Sequence, residues 1–450
     1  MPVNFEFEQS NEYLTTHSGL ASIGQLVAQT KIMQRLNQTK LEGVDAPDIS
    51  NGDIMTAYLG LLCQGKSDFD AIEPFREDDF FSLSLDVKVA SSPTLRQRLD
   101  MAGASPAGWQ TILKEESASL LKIVHAQLTP LAVSLSDGTV QSFLPLDIDV
   151  SPFDNSKTKK EGSSRTYKGF DGYSPIFAYL GQEGYCVNVE LRIGSQHCQK
   201  ETPVFLAQSI HYSRSITDQP ILLRLDSGND SKDNLVVCHA EETKVDYIIK
   251  RNLRKESREQ WLTVAQSNGI CCEQREGKKV YLGSTNLFVD ELKQWVRVVF
   301  EVTERTITKD GQMLLVPDIE VDTYWTSLRC SAWRVIELYH DHGTCEQFHS
   351  ELKTDLDLER LPAGKFKTND IVLHAGVFAY NLLRILGQTS LQVPDSPLKK
   401  RVQRRRIRTV IQNMIYLAAR MVHHARTFKL RFGCYCPWFF TVKRIYATFT

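Results

Sequence analysis

Residues 144–151 read L-P-L-D-I-D-V-S and decide the fold, because they describe a short apolar strand that carries acids toward its end. Successive side chains of a strand point to opposite faces, so Asp147 and Asp149 share one face. Acids at the carboxyl end of a buried strand usually lie at the rim of an α/β sheet, where ligands bind. The stretch predicts an α/β protein with a site at this strand end, and leaves open which of the two acids serves it.

A second strand of the same kind covers residues 221–228, I-L-L-R-L-D-S-G, and places Asp226 where the strand opens into a glycine turn. A single aspartate in such a position most often caps the turn that follows. The repetition of the pattern favours a site shared by both strands. Runs rich in β-branched and aromatic residues at 131–135, 174–180 and 186–193 predict further strands.

The third part of the predicted site is residues 339–353, Y-H-D-H-G-T-C-E-Q-F-H-S-E-L-K. On a helix at about 100° per residue, Tyr339, His342, Glu346 and Lys353 fall within about 60° of one another. A polar stripe of this kind is usually a solvated face. The two strand-end aspartates upstream favour the alternative, a stripe that faces a phosphate and a metal ion.

The acids on these three segments suit metal-dependent cleavage of a phosphodiester. Two Mg²⁺ or Mn²⁺ ions about 3.5–4 Å apart need several carboxylates to bridge them and to balance their charge. Glu346 and Asp226, with one aspartate of residues 144–151, supply such a set. Lys353 is predicted to hold a phosphate, and Tyr339 to hydrogen-bond or stack beside it.

The charge of the chain is distributed unevenly. The net charge is −1, yet residues 397–450 hold 13 Lys or Arg and no Asp or Glu, which leaves a net of −14 in residues 1–396. A basic tail on an acidic body predicts contact with a polyanion. Residues 157–172 form a second basic stretch, which either contacts DNA phosphates or is a solvated hairpin. The predicted contacts with DNA phosphates in these two stretches are Lys160, Arg165, Arg404, Arg405 and Arg408.

The chain divides into five predicted domains. Residues 1–130 have helical periodicity and are predicted to bind DNA ends, and residues 131–258 carry the first part of the α/β core. Residues 259–325 predict an inserted small sheet, and residues 326–395 predict the second part of the core, with an apolar helix from Thr368 to Gly387. Residues 396–450 predict a basic helical segment, in which the apolar residues from Val402 to Met421 have helical spacing. No apolar run of about 18 residues and no leader pattern occurs, which predicts a cytoplasmic protein without membrane contact.

Together these motifs resemble the DDE transposases of bacterial insertion sequences. In the insertion-sequence-four superfamily the third acid lies in the signature Y-x2-R-x3-E-x6-K, which Tyr339, Glu346 and Lys353 match in identity and spacing. Asp226 has the family's D-S-G context. The family's first acid stands just before Ser or Thr, which Asp149 in D-V-S matches better than Asp147. Residues 343–348, 358–362 and 379–384 are similar to the thirteen-eighty-type branch.

The resemblance spans residues 144–431 and implies a ribonuclease-H-like catalytic core interrupted by a β-rich insertion. It implies Asp149, Asp226 and Glu346 as catalytic residues and as ligands of two Mg²⁺ or Mn²⁺ ions. It also implies double-stranded DNA partners, namely terminal inverted repeats and target DNA, and a homodimer that holds two ends together. The expected activity is cleavage at the inverted repeats and transfer of the 3′ ends, in a bacterial, nucleoid-associated protein.

One position departs from the signature, because His342 stands where the family has arginine. A histidine offers no bidentate fork, but it can donate one hydrogen bond to a phosphate. The change is consistent with a weakened or inactive copy, and if an arginine–phosphate contact is what the site lacks, His342→Arg should raise the cleavage rate. Two other functions stay open: a metal-dependent nuclease without strand transfer, and an inactive DNA-binding protein derived from a transposase. A zinc site of His342, Cys345 and His349 lacks a fourth ligand.

Overall fold

The computed structural model of the protein describes residues 2–45, 47–105, 108–400, 402–425 and 427–450. The helices are α1 (Leu20–Ala28), α2 (Ile32–Asn37), α3 (Asn51–Leu62), α4 (Asp79–Leu85), α5 (Ser92–Ala104), α6 (Trp109–Ile123), α7 (Thr202–Ile216), α8 (Lys232–His239), α9 (Arg258–Asn268), α10 (Ala332–His340), α11 (Cys345–Ser350), α12 (Phe366–Gln392), α13 (Ile407–Val410) and α14 (Phe439–Phe449). The strands are β1 (Leu14–Thr15), β2 (Leu131–Ser134), β3 (Val140–Val150), β4 (Phe153–Asp154), β5 (Ser164–Arg165), β6 (Asp171–Tyr173), β7 (Ile176–Leu180), β8 (Tyr185–Glu190), β9 (Ile221–Leu225), β10 (Asp246–Lys250), β11 (Gly269–Arg275), β12 (Lys278–Val289), β13 (Gln294–Ile307), β14 (Met313–Thr326), β15 (Ala419–His424) and β16 (Thr427–Phe432).

These elements form two compact units. The sheet unit is His125–Ser350, and the helical unit joins the residues up to Val124 with Glu351–Thr450. This division differs from the five predicted domains, since residues 351–395 belong with the N-terminal helices and not with the sheet. The protein is nevertheless a mixed α/β protein, as the strand-end acids predicted.

The sheet unit is built on one large sheet with the strand order β11-β12-β13-β14-β10-β9-β3-β7-β8, with β2 pairing with the start of β3. β3, β7 and β8 are antiparallel neighbours, whereas β9 and β10 run parallel to β3. Helix α7 connects β8 to β9, and α8 connects β9 to β10. The alternating apolar residues of β3 and β9, Leu146, Ile148, Leu223 and Leu225, lie in a fully buried core on one face. The opposite face also carries a buried apolar cluster, which includes Phe143, Leu222 and Ile248. Asp147 and Asp149 lie on that opposite face, toward the end of β3.

The β-rich segment corrects one expectation. Residues 259–325 do hold four long strands after α9, but they are not a separate small sheet. β14 pairs antiparallel with β10, with Ile249 opposite Trp325, so β11–β14 extend the main sheet. Strand β10 is apolar and would otherwise present an unpaired edge, which is costly and prone to aggregation.

The helical unit contains the predicted N-terminal helices and the predicted apolar helix at 368–387. That helix, α12, runs further than predicted in both directions and packs against α3, α5 and α6. By length and composition α12 could cross a membrane, but 94% of its most apolar window is buried inside the protein. Its uniform apolarity is therefore that of a core helix.

The predicted basic helix at the C-terminus is wrong for residues 419–424 and 427–432. They form the antiparallel hairpin of β15 and β16, and β15 also pairs with β1. Phe428, Leu430 and Phe432 alternate with Lys429 and Arg431, which is the period of a strand. The helical spacing of residues 402–421 had masked this alternation, and only Ile407–Val410 and a short π-helical turn after it are helical there.

Candidate active site

Asp149 and Asp226 lie side by side because of the register between two parallel strands. β3 and β9 pair Leu144 with Ile221 and continue in step to Ile148 with Leu225. The next residue of each strand is Asp149 and Asp226. Both alternate with core residues, because Ile148 and Val150 flank Asp149 in the core and Leu225 precedes Asp226 there. The two strand-end acids therefore occupy adjacent positions at one edge of the sheet. That they share one site stays a prediction.

The same register places Asp147 opposite Arg224, and this pair is a buried salt bridge. Arg224 binds Asp147 through two nitrogens, at 2.6 and 2.7 Å, and donates a third bond to the Leu338 carbonyl oxygen at 2.6 Å. His342 Nδ1 lies 3.0 Å from the same carboxylate. Asp147 is 2% exposed, and its charge is already balanced. Asp149 is thus the better candidate of the two for a metal ligand.

The two neighbouring acids have opposite pKa shifts. Burial raises the pKa of the Asp226 carboxyl, and the negative charge of Asp149 raises it further. Burial also acts to raise the pKa of Asp149, but hydrogen bonds from His349 and the Val150 backbone N–H, with the nearby His342, hold that pKa below its usual range. A pair of adjacent carboxylates, one of them destabilised by the other, fits a hard divalent cation that takes oxygen ligands.

One phenol, Tyr167, lies within electrostatic range of Glu346 as well as of the two aspartates. Tyr167 is largely exposed, but partial burial of its hydroxyl and the charges of Asp149, Asp226 and Glu346 raise its pKa to about 12. All three acids therefore lie within electrostatic range of this phenol. Burial likewise raises the pKa of Tyr339, with Asp226 and Asp149 contributing. Glu346 itself is exposed on α11. All three predicted acids therefore act electrostatically on Tyr167, and the two aspartates also act on Tyr339. That the three acids form one site stays a prediction.

The helical stripe that carries Glu346 is less regular than predicted. After α10 the chain makes a 3-10 turn, Asp341–Thr344, then α11, and then a π-helical turn, Glu351–Asp355. Changes of helical pitch rotate the side chains that follow, so a constant 100° per residue does not describe the segment. Lys353 lies in the π-helical turn, which belongs to the helical unit, whereas Glu346 belongs to the sheet unit.

His342 is placed differently from the predicted phosphate contact. It is 7% exposed, and its ring lies on Asp147 and not on the surface. Cys345 Sγ lies 3.8 Å from His342 Nδ1, and ligand atoms of Asp147, His342 and Cys345 lie within 4.8 Å of one another. Arg224 already neutralises the carboxylate of this cluster, which makes the cluster a poor cation site compared with Asp149 and Asp226.

The predicted DNA contacts of the sheet unit lie around a small sheet of order β4-β6-β5, with Lys160 in the loop from β4 to β5 and Arg165 in β5. Lys160 donates to Asn155 Oδ1 at 3.1 Å, and Arg165 is exposed, 3.9 Å from Asp171. The hairpin of β5 and β6 matches the alternative prediction of a solvated hairpin. Tyr167 lies in the turn between β5 and β6, and its hydroxyl donates to the carbonyl oxygen of Val150, the residue after Asp149, at 3.5 Å.

Of the predicted C-terminal contacts, Arg408 is exposed, Arg404 is half-buried and Arg405 is buried. Arg405 is 3% exposed, donates to Ser390 Oγ at 3.1 Å and lies 4.3 Å over the Trp438 ring. Burial lowers its pKa to about 10. The prediction of Arg405 as a phosphate contact is therefore corrected, because its guanidinium packs in the interior of the helical unit.

Several residues of the site were missed by sequence reasoning. His349 hydrogen-bonds to Asp149, and Tyr179 hydrogen-bonds to His349. Asn229 donates to Asp226 Oδ1 at 2.8 Å. The signal for Asn229 was its position three residues after Asp226, which is typical of a turn that hydrogen-bonds its own aspartate. Tyr167 and Tyr179 stand among many other aromatic residues and gave no signal.

Comparison with known proteins assigns the family. The family described as Transposase DDE domain group 1 matches residues 3–449. No curated protein matches the sequence. Among solved structures, a cryo-electron microscopy structure of the piggyBac transposase synaptic complex with hairpin DNA aligns with 90% of this chain and 82% of that chain, at 12% identity and a TM-score of 0.42, too weak a likeness to carry an argument. With a match over nearly its whole length, the chain belongs to the DDE transposase family of DNA-cleaving, DNA-transposing enzymes.

Proposed function

We propose that the protein binds the terminal inverted repeats of an insertion sequence, cleaves the DNA with divalent metal and transfers the 3′ ends to target DNA. The observation that carries the proposal is the register of β3 and β9, which sets Asp149 beside Asp226 with Glu346 in electrostatic range of the same phenol. The sequence likeness to the insertion-sequence-four superfamily, in its thirteen-eighty-type branch, supports the choice of element.

The catalytic core that we propose is ribonuclease-H-like. Its support is the sheet order β8-β7-β3-β9-β10. Along the chain, β3, β7 and β8 form an antiparallel meander, and the next two strands, β9 and β10, run parallel to β3. In such an arrangement the central strand and its parallel neighbour carry acids on one face, and a later helix supplies a third. β3, β9 and α11 take those three places in this chain.

Asp149, Asp226 and Glu346 are the residues that would hold two Mg²⁺ or Mn²⁺ ions. When bound there, the ions supply activation of the attacking oxygen and stabilisation of the leaving oxygen. In the first step water adds to phosphorus and the bond to the 3′ oxygen breaks, which leaves a 3′-hydroxyl on the element. In the second step that hydroxyl attacks a target phosphorus and displaces another 3′ oxygen.

The remaining residues position the substrate and the acids. Tyr167 and Tyr339 present phenols beside the carboxylates, and their raised pKa values keep them protonated as hydrogen-bond donors to a phosphate. Arg165, Arg404 and Arg408 are the proposed contacts with the DNA backbone, with Lys160 and Lys353. A homodimer is proposed because two element ends must be joined in one reaction.

The test is cleavage of a supercoiled plasmid that carries both element ends, with Mg²⁺ or with EDTA. We expect Mg²⁺-dependent nicking and joined products, both lost in Asp226→Ala and Glu346→Ala but kept in Asp310→Ala, which removes an exposed acid in the turn between β13 and β14. Cleavage without joined products would favour a nuclease. DNA binding without any cleavage, in the parent and both variants alike, would favour an inactive DNA-binding protein.

A further inference from the structure

A buried histidine connects two elements of the proposed active site. His349 on α11 is 5% exposed, and its ring packs 5.2 Å from the Phe177 ring on β7. One ring nitrogen, Nδ1, lies 3.1 Å from the Tyr179 hydroxyl on β7. The other, Nε2, lies 3.3 Å from Asp149 Oδ2 on β3. The three side chains form a chain of hydrogen bonds, phenol to imidazole to carboxylate.

The direction of these hydrogen bonds follows from the chemistry of the groups. A carboxylate only accepts, so Nε2 must carry the proton that is shared with Asp149. In a neutral ring Nδ1 is then an acceptor, and it receives the hydroxyl proton of Tyr179. Tyr179 is fully buried, and its fixed position sets the tautomer of the ring.

His349 also links the first acid to the third. Glu346 stands three residues earlier on α11, and residues three apart lie on neighbouring positions of a helix surface. A bond from His349 to Asp149 therefore fixes α11 against β3. At the same carboxylate, the Val150 N–H donates to Oδ1 at 2.7 Å, so both oxygens of Asp149 are held. The lone pairs of Asp149 that accept no hydrogen bond from His349 or Val150 therefore point in a fixed direction.

We propose that His349 is a positioning residue that orients the Asp149 carboxylate for metal, with Tyr179 setting its tautomer. The inference rests on the proposed function, because it assumes that Asp149 is a metal ligand. Hydrogen-bond donors behind a ligating side chain commonly change metal affinity by about 10–100-fold. A histidine that only filled the core would leave metal affinity unchanged when replaced by an apolar ring of similar size.

The test is Mn²⁺ binding to the full-length protein by isothermal titration calorimetry, beside plasmid cleavage at varied Mn²⁺. His349→Phe keeps an aromatic ring and removes the donor, and should raise the dissociation constant about 10–100-fold. His349→Gln keeps a donor and should recover part of the loss. Tyr179→Phe removes only the hydroxyl and should show a smaller weakening. In each variant the Mn²⁺ needed for half-maximal cleavage should rise in parallel.

A matched control is available in the same unit. His239 Nε2 lies 2.9 Å from the Tyr247 hydroxyl, so His239→Phe breaks a similar histidine–tyrosine bond that involves none of the three acids. It should bind Mn²⁺ as the parent does. Wild-type affinity in His349→Phe and Tyr179→Phe would overturn the inference. If His349→Phe fails to fold by circular dichroism, His349→Gln and Tyr179→Phe decide.

Asp226→Asn separates this inference from the proposed function. If Asp226→Asn loses Mn²⁺ binding while the His349 variants keep it, the positioning role is wrong and the metal site stands. If Asp226→Asn binds Mn²⁺ like the parent, the proposed metal site itself is wrong. Loss in both sets of variants, with the His239 control intact, supports both.

Discussion

At the scale of single residues, two aspartates on the same face of one strand, two residues apart, have different roles. Asp147 and Asp149 occupy the same face of β3, and the register gives one of them Arg224 and the other Asp226 as its neighbour. Asp147 and Arg224 form a buried salt bridge, in which the two charges balance. The second pair, Asp149 and Asp226, concentrates negative charge at a strand end, which is unfavourable until a cation binds.

Asp226→Asn should therefore stabilise the protein in the absence of metal. Removing a like charge beside Asp149 relieves about 1 kcal/mol of repulsion, or roughly 2–4 °C in Tm for a unit of this size. The pKa of Asp226 is raised by folding, so its contribution to stability is present at low pH and is lost as the pH rises through the raised pKa. The increase in stability of Asp226→Asn over the parent should therefore be largest near neutral pH and should vanish in acid. The variant should also lose the increase in Tm that Mg²⁺ gives the parent.

Thermal unfolding in EDTA and in Mg²⁺, followed by circular dichroism at several pH values, measures both effects. The neutral control is Asp310→Asn, which changes an exposed acid outside the site. A lower Tm in EDTA for Asp226→Asn would show that the Asp226 carboxylate is not under strain from Asp149.

The expected effect of His342→Arg reverses once the surroundings are known. The sequence signature predicts a faster enzyme, but His342 is buried against Asp147, where Arg224 already supplies a guanidinium. A second buried cation there lacks a partner of its own, which costs several kcal/mol. We expect a clearly lower midpoint of urea unfolding and no gain in cleavage rate. Faster cleavage at unchanged stability would restore the sequence-based prediction.

At the scale of elements, the segment around Arg405 is held by buried acids of the π-helical turn. Glu351 pairs with Arg384 and accepts a bond from the Ile407 backbone N–H at 3.3 Å. Asp355 binds Arg406 at 2.9 Å and accepts from the Arg408 N–H at 3.0 Å. These bonds to the backbone fix the path of the basic segment, so its arginines differ in exposure one by one.

Arg405 and Arg408 should consequently respond differently to substitution. Arg408→Ala should weaken DNA binding, with the slope of log affinity against log salt reduced by about 1, and leave Tm nearly unchanged. Arg405→Ala should lower stability by about 2–4 kcal/mol, because it removes a buried guanidinium together with its packing on Trp438.

Fluorescence anisotropy with labelled DNA at several salt concentrations, beside thermal unfolding, distinguishes the two variants. The prediction fails if Arg405→Ala retains full stability and loses DNA affinity as strongly as Arg408→Ala does. Arg444→Ala serves as a further surface control, since Arg444 is exposed and paired with Asp395 at 2.6 Å.

At the scale of the whole molecule, the sheet unit is one continuous stretch of chain that contains Asp149, Asp226 and Glu346. Its main sheet includes β11–β14 as well as the strands that carry acids. The helical unit is assembled from both ends of the chain. An intact sheet therefore requires the β-rich residues but does not draw strands from the helical unit.

Residues 125–350 should fold when expressed alone and bind Mn²⁺ within about threefold of the full-length affinity, since the proposed ligands and His349 are all included. Residues 125–258 should aggregate, because removing β14 exposes the apolar edge of β10. Circular dichroism, light scattering and calorimetry measure these outcomes. An unfolded 125–350 fragment would show that the two units are not independently stable.

The sequence by itself determined the class of fold and the location of the acids. Strand alternation and helical spacing are local properties, so β3, β9 and α12 could be predicted from windows of a few residues. Local windows misjudged residues 419–424 and 427–432, where two periods overlap, and the small-sheet prediction for 259–325, since strand pairing partners are not encoded locally.

Only the tertiary structure decided what each acid does. Asp147 meets Arg224 across 77 residues of sequence and Asp149 meets His349 across 200, and both meetings depend on strand register and helix placement. The charge state and orientation of a carboxylate follow from its neighbours in space. For that reason the sequence could present Asp147 and Asp149 as equivalents, while the fold made one a structural ion pair and left the other beside Asp226.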